Sequence, residues 1–496
     1  MIPRHREAMS LSRREMLARC GGGLGLLGLA GLLADEGLLS SAAAATIAGP
    51  RHGRNLEAGD PMAPKPPHFS PRAKAVIWLF INGGPSQVDT WDYKPELEKR
   101  HGKELPGFDK QTGFFPEQVG ALMKSPFKFA QYGQCGKWAS DLFPCMAQHV
   151  DKMAFIHSGY TKSNNHSPAL YMMSSGTTRM GFPSAGSWVS YGLGSESRDL
   201  PGFVVMSDPK GRGLPKGNAN NWSAGFLPGV YQGTYLNPKG APIANLARPA
   251  GMNDSQQRAQ LDLLARLNRQ HLDEHPNERE LAARIESFEL AYRMQMSAPE
   301  AIAIDREPQH IQKLYGLDDP GCAHFGRQCL IARRMVERGV RYVQIYSGGM
   351  ENQLSWDGHI DIQGNHSGFA RETDRPIAGL LADLSQRGLL DDTLVIWAGE
   401  FGRLPIAQKS EKPGRDHNPH AFTCWLAGGG AKGGVSYGET DELGFKSVVD
   451  KVSVNDLHAT ILHLLGIDHT RLTYRYSGRD FRLTDVAGNV IEKIVA

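Results

Sequence analysis

The 496-residue sequence is poor in several features that would narrow its class. Past the N-terminal segment, no apolar run reaches the roughly 20 residues of a spanning helix, so no permanent membrane span is expected. The 55 basic and 52 acidic residues leave a formal charge of +3, which removes the electrostatic case for nucleic acid as a partner. Cysteines number six. Cys20 lies near the N-terminus, and the remaining Cys135, Cys145, Cys322, Cys329 and Cys424 are odd in number, so one chain cannot pair them all. Cys135 with Cys145 and Cys322 with Cys329 are local candidates. Neither spacing is that of a zinc knuckle, and the second pair fits two buried positions on one helix face equally well. There are no internal repeats or heptads. The glycines of 428–434 lack the Lys-Ser/Thr ending of a phosphate loop and read as a hairpin turn.

What is present begins at the N-terminus. Ser12-Arg13-Arg14-Glu15-Met16-Leu17 has the twin-arginine pattern, followed by a weakly apolar, Gly-rich stretch to Leu33 and the small residues Ala42–Ala45. The expected organisation is a signal peptide over 1–45 and a flexible leader over 46–72. One domain follows over 73–496, with an insertion at about 207–300. The twin-arginine translocase is then a partner in export, and the mature protein is expected in the periplasm or at the cell surface.

Apolar, β-rich runs at Lys74–Ile81, Met153–His157, Phe203–Met206, Val340–Tyr346 and Thr393–Ala398 predict strands. Helices are expected near 167–175, 254–271, 277–296, 326–338 and 367–386. Leu261, Leu264, Leu267, Leu281, Ile285 and Phe288 would form the packed face of a helical hairpin. Alternation at this spacing predicts an α/β protein with a doubly wound, mostly parallel sheet and helices on both faces. Trp222, Phe226, Tyr231 and Tyr235 in the insertion either stack on sugar rings or pack beneath a long loop.

Three polar clusters fall where loops are expected after buried elements: Trp356-Asp357-Gly358-His359, Gly399-Glu400-Phe401-Gly402-Arg403 and Arg415-Asp416-His417-Asn418-Pro419-His420. Ligands in open α/β sheets bind beyond the carboxyl ends of the strands. Carboxylates and imidazoles there are donors for a divalent cation. Asp357, His359 and His417 are expected to share one ion, with Glu400 or Asp416 nearby. Arg403 and Arg415 are candidate clamps for a tetrahedral oxyanion, or else surface arginines near helix ends. Asp89 and Asp92 read as loop-ordering residues.

These clusters, together with Asn82-Gly83-Gly84-Pro85-Ser86-Gln87-Val88-Asp89-Thr90-Trp91-Asp92, resemble the domain-of-unknown-function 1501 family over nearly the whole mature chain. More distantly, strand 394–398 with Glu400, then Asp416-His417 and the Asp456–Gly466 helix, resemble the end of the alkaline phosphatase and sulfatase superfamily. That resemblance implies an alkaline-phosphatase-like core, one divalent ion (Zn, Mn, Ca or Mg) and an anionic ester substrate, sulfated or phosphorylated glycans included. It places Asn82 where the superfamily has a metal-binding Asp, and His166 at the nucleophile position with Ser167 beside it. The formylglycine cysteine is missing, which disfavours the sulfatase mechanism. Two functions stay open: an exported metal-dependent hydrolase of phosphate or sulfate esters, or a non-catalytic binding or scaffold protein with a degenerate metal site.

Overall fold

In a computed structural model, residues 60–237, 243, 248, 251–274 and 279–496 are described. The expected signal peptide and the expected leader up to residue 59 lie outside them. The chain comprises two compact units. The first joins 1–59 with 249–267, and its described part is helical from Asp254. The second, 60–248 with 268–496, holds the sheet and the candidate site.

The main sheet contains β1 (Ala75–Ile81), β3 (Met153–Tyr160), β4 (Phe203–Met206), β5 (Thr234–Leu236), β6 (Tyr342–Ser347), β7 (Thr393–Ala398), β10 (Phe422–Ala427) and β11 (Val435–Tyr437). Its order is β11-β3-β10-β7-β1-β6-β4-β5, and Val452–Ser453 also pairs with β3. Pairing is parallel except at β10, which runs antiparallel to β3 and β7. The mostly parallel α/β sheet is therefore as expected. β1 is central because all seven of its residues are apolar and buried, as a strand covered on both faces requires.

Period-two alternation along β1 sorts its side chains into two cores. Ile77, Leu79 and Ile81 join the first, with Phe325 and Leu330 of α3 (Ala323–Glu337) and Ile377 and Leu381 of α4 (Ile362–Gln386). Val76, Trp78 and Phe80 join the second, with Leu170 of α1 (His166–Ser175), Trp188 of α2 (Ala185–Leu193) and Leu457 and Ile461 of α5 (Val454–Leu464). Helices thus cover both faces.

Beside this sheet lies a second one, two of whose strands fall where the sequence predicts loops. β2 (Val119–Leu122), β8 (Gly402–Gln408) and β9 (Gly414–Asn418) form a three-stranded antiparallel sheet in the order β9-β8-β2. Two of the three polar clusters therefore sit partly on strands.

Other differences are local. Residues 60–72, read as leader, are tied by backbone bonds from Lys65 to Leu193 and from Arg72 to Leu464. Leu264, Leu267 and Phe288 are exposed rather than packed. Met294, Ala298 and Ala301 bury instead, from the helix Arg279–Ile302. In the insertion, Trp222 and Tyr231 are buried, and Trp222 stacks on Tyr235 at 5.9 Å, the packing use of these rings. All five described cysteines are free, with Cys322 and Cys329 buried at the start and in the body of α3.

Candidate metal centre

The parallel strands deliver their carboxyl ends to one edge, and the loops leaving them converge there. β1 runs into Asn82-Gly83-Gly84. Gly83 has φ +109°, and a Cβ there would lie 2.6 Å from the backbone nitrogens of Trp356 and Asp357. Its lack of a side chain lets the loop carrying Asp357 and His359 sit against β1. β7 runs into Glu400, whose carboxylate accepts the Gly83 amide at 3.0 and 3.2 Å. β3 leads through Asn164 to His166 at the first turn of α1, and β9 brings His417.

Four buried side chains meet at this edge: His166, Asp357, His359 and His417, with one candidate ligand atom from each lying within 4.8 Å of all the others. Asp357 is the hub. Its Oδ1 is 2.9 Å from His359 Nε2 and 3.2 Å from His417 Nε2, and its Oδ2 is 3.0 Å from His166 Nε2. The two imidazole Nε2 atoms of His359 and His417 are 2.9 Å apart.

The opposite ring nitrogens decide what this convergence means. His166 Nδ1 lies 2.6 Å from Glu400 Oε1, His359 Nδ1 2.6 Å from Gln408 Oε1, and His417 Nδ1 2.6 Å from the carbonyl of Asn164. Each Nδ1 faces an acceptor and so carries the ring proton, which leaves three Nε2 lone pairs and a carboxylate pointing at one another. His166 Nε2 and Asp357 Oδ2 are buried without a hydrogen-bond partner. Four electron-rich atoms in such proximity require protons or a cation among them. Protons on all the rings are opposed by burial, which together with His166 holds His417 well below the usual imidazole range. At His166 burial also works against the charge, but Asp357 and Glu400 outweigh it and raise the pKa. The Asp357 carboxyl is held far below its ordinary range despite burial, chiefly by Arg403 and then His166. Outer acceptors that fix the tautomer of each imidazole are the usual second layer of a metal site, and these residues fit a divalent cation.

The other sequence-derived candidates have different placements. Glu400 is the outer acceptor of His166. Asp416 Oδ2 accepts from the amides of Phe114 and Phe115 at 2.9 and 2.7 Å, and its Oδ1 accepts from the His417 amide at 2.7 Å. It orders the Phe114-Phe115 turn against the imidazoles and is not in the ligand cluster. Asn82 directs its amide nitrogen to the carbonyls of Gly348 and Gly349, at 3.3 and 2.5 Å. Ser167 is half-buried beside His166.

Neither arginine is free to clamp an anion. Arg403 is fully buried and bonds Gly83, Gly84 and Arg415 carbonyls as well as Asp357 Oδ1 at 2.6 Å. Arg415 forms a buried two-point pair with Asp89 at 2.6 and 3.1 Å. Sequence reading missed Gln408, Asn164 and Lys216. Lys216 lies in the insertion, with Nζ 3.5 Å from Asp357 Oδ2 and its side chain 28% exposed.

Fold and site together define an α/β protein with a buried three-histidine, one-aspartate centre at the carboxyl edge of its sheet. The chain belongs to the family described as "Protein of unknown function (DUF1501)", whose model matches residues 73–495. No curated protein matches it. Solved structures similar to it include the lipoteichoic acid synthase LtaP from Listeria monocytogenes (8% identity, 86% of this chain and 79% of that one, TM-score 0.34). The PsFucS1 sulfatase from Pseudoalteromonas sp. is similar at 11% identity over 80% and 68%, with a TM-score of 0.34. Alkaline phosphatase from the Antarctic bacterium TAB5 is similar at 10% identity over 79% and 98%, with a TM-score of 0.30. Likeness this loose transfers no residue's role to the present chain.

Proposed function

We propose that this chain is a metal-dependent hydrolase of phosphate or sulfate esters. In this reading it is exported through the twin-arginine route to the periplasm or cell surface, and sulfated or phosphorylated glycans are among its substrates. The observation that carries the reading is the convergence of three Nε2 atoms on Asp357 with every Nδ1 already held by an acceptor. Three imidazoles and one carboxylate suit zinc better than calcium or magnesium, which favour oxygen ligands. A bound cation would polarise an ester oxygen or generate a water-derived nucleophile near neutral pH.

The chain's own groups then divide the remaining work. His166, His359, His417 and Asp357 hold the ion. Glu400, Gln408 and the Asn164 carbonyl orient the rings. Arg403 fixes Asp357 and the Gly83-Gly84 turn. Lys216, partly exposed beside Asp357, offers its ammonium to the anionic group of the ester. His166 serves here as a ligand instead of a nucleophile, because Glu400 holds its Nδ1 and the ion would take its Nε2.

One observation favours the non-catalytic alternative: both candidate clamp arginines are consumed by internal bonds. Turnover separates the two readings. Protein purified from its exported form is assayed on phosphate and sulfate monoesters, then chelated, then given one equivalent of zinc. The hydrolase reading expects turnover that chelation abolishes and zinc restores. Metal-replete protein inactive on both ester classes would instead be a binding protein.

A further inference from the structure

A cavity of about 380 Å³ opens between the C-terminal end of α1 and the segment Arg479–Ala487. Its volume lies in the range of small-molecule sites. Four cations line it, Lys162, Arg179, Arg479 and Arg482, against a single carboxylate, Asp485. Asp485 is already committed, because Arg479 pairs with its side chain and Arg482 bonds its carbonyl. Lys162 and Arg179 are exposed and have no hydrogen bond or ion pair among the described residues. Both are therefore available to an anion entering the cavity.

Part of the lining is aromatic. Phe182 and Phe481 meet edge to face with centroids 5.9 Å apart, and the Arg479 guanidinium lies 4.8 Å from the centre of Phe481. Hydroxyls of Thr177 and Thr178 complete the lining. Cations with hydroxyl donors match a tetrahedral oxyanion, and aromatic side chains match the apolar face of a ring-bearing body.

From these features we propose that the cavity binds a phosphate or sulfate monoester, its charged group at Lys162, Arg179 and Arg482 and its ring-bearing body on Phe182 and Phe481. The site is separate from the metal centre and does not depend on it. His166 stands at the first residue of α1 and Ser175, which lines the cavity, at its last, about 13 Å apart at about 1.5 Å per residue. The two are joined by one loop, in which Lys162 lines the cavity and the Asn164 carbonyl holds His417.

The test uses the full mature chain stripped of metal by chelation, so that its result is independent of hydrolysis. Calorimetric titration compares inorganic sulfate with a sulfated disaccharide at low salt. The expected result is one disaccharide per chain, bound at least tenfold more tightly than sulfate and weakened as salt is added. In the variant Lys162→Ala/Arg179→Ala, affinity is expected to fall at least tenfold with an unchanged melting temperature. If that pair disturbs the fold, Lys162→Met alone is measured, with a smaller loss expected. No binding by the stripped wild type, or wild-type affinity in a folded variant, overturns the site while leaving the metal reading intact. Equal affinity for sulfate and the disaccharide overturns the ester assignment.

Discussion

Replacing Asp89 by alanine leaves the Arg415 guanidinium fully buried without the carboxylate that holds it at 2.6 and 3.1 Å. Both side chains are 0% exposed, so solvent does not screen the pair. Removing one partner of a buried ion pair costs about 3–5 kcal/mol. Arg415 keeps two carbonyl acceptors, Met123 at 3.0 Å and Leu404 at 3.3 Å, which places Asp89→Ala near the lower end, about 3 kcal/mol. Arg415→Ala leaves Asp89 with Ser86 Oγ at 2.5 Å and opens a cavity, and belongs near the upper end, about 5 kcal/mol. At about 2.1 cal/mol/K per residue, a 496-residue chain loses about 1 °C of melting temperature per kcal/mol. The two variants should therefore melt about 3 and 5 °C below wild type, and the double variant should lose less than their sum. Burial resists ionisation of Asp89, but Arg415 outweighs it and lowers the pKa. A carboxyl depressed in the fold stabilises above its unfolded pKa and loses that contribution as pH falls toward its folded pKa. The gap between wild type and Asp89→Ala should hold above about pH 5 and narrow below about pH 4. Differential scanning fluorimetry across pH measures all of this. Single variants within about 1 °C of wild type, or strictly additive losses, would refute the pairing.

Glu400→Gln weakens the acceptor of His166 Nδ1 and should lower metal affinity about 10–100-fold, read by competition with a chromogenic chelator; unchanged affinity contradicts the outer-acceptor role. Burial pushes Lys137 down to about 7, where it contacts His157. The unfolded lysine keeps its proton to about pH 10.4, so stability rises with pH between those values and the burial penalty is greatest below about 7. Lys137→Met should therefore raise the melting temperature more at pH 6 than at pH 9, and an equal shift at both would refute this. Arg13→Lys/Arg14→Lys should leave precursor in the cytoplasm, whereas unchanged secretion, followed by immunoblotting of fractions, argues against the twin-arginine route.

The central strands were legible because β1 and β7 are continuous apolar runs, the pattern that parallel strands buried on both faces impose. Asp357, His359 and His417 were legible because ligands gather beyond such strands. β8 and β9 were not. Gly402-Arg403-Leu404-Pro405 and Gly414-Arg415-Asp416-His417 carry charges and a proline that argue against a strand, although the two segments pair with each other, and the partners of their arginine side chains, Gly83, Gly84 and Asp89, lie more than 300 residues away in sequence. The same distance hid the roles of the arginines. A guanidinium beside an acidic cluster reads as a clamp until the carbonyls it satisfies are brought to it by the fold. Gln408, Asn164 and Lys216 belong to no motif, and only chain folding sets them around the imidazoles.

The central claim is that His166, Asp357, His359 and His417 hold one cation. Elemental analysis of the mature protein, purified from its native export route without added metal, tests it most directly. Close to one equivalent of a divalent metal, zinc above all, is expected, falling below about a tenth in His359→Ala because one of four ligands is lost. Wild-type protein with less than about a tenth of an equivalent, or a His359→Ala variant that keeps its full complement, would contradict it.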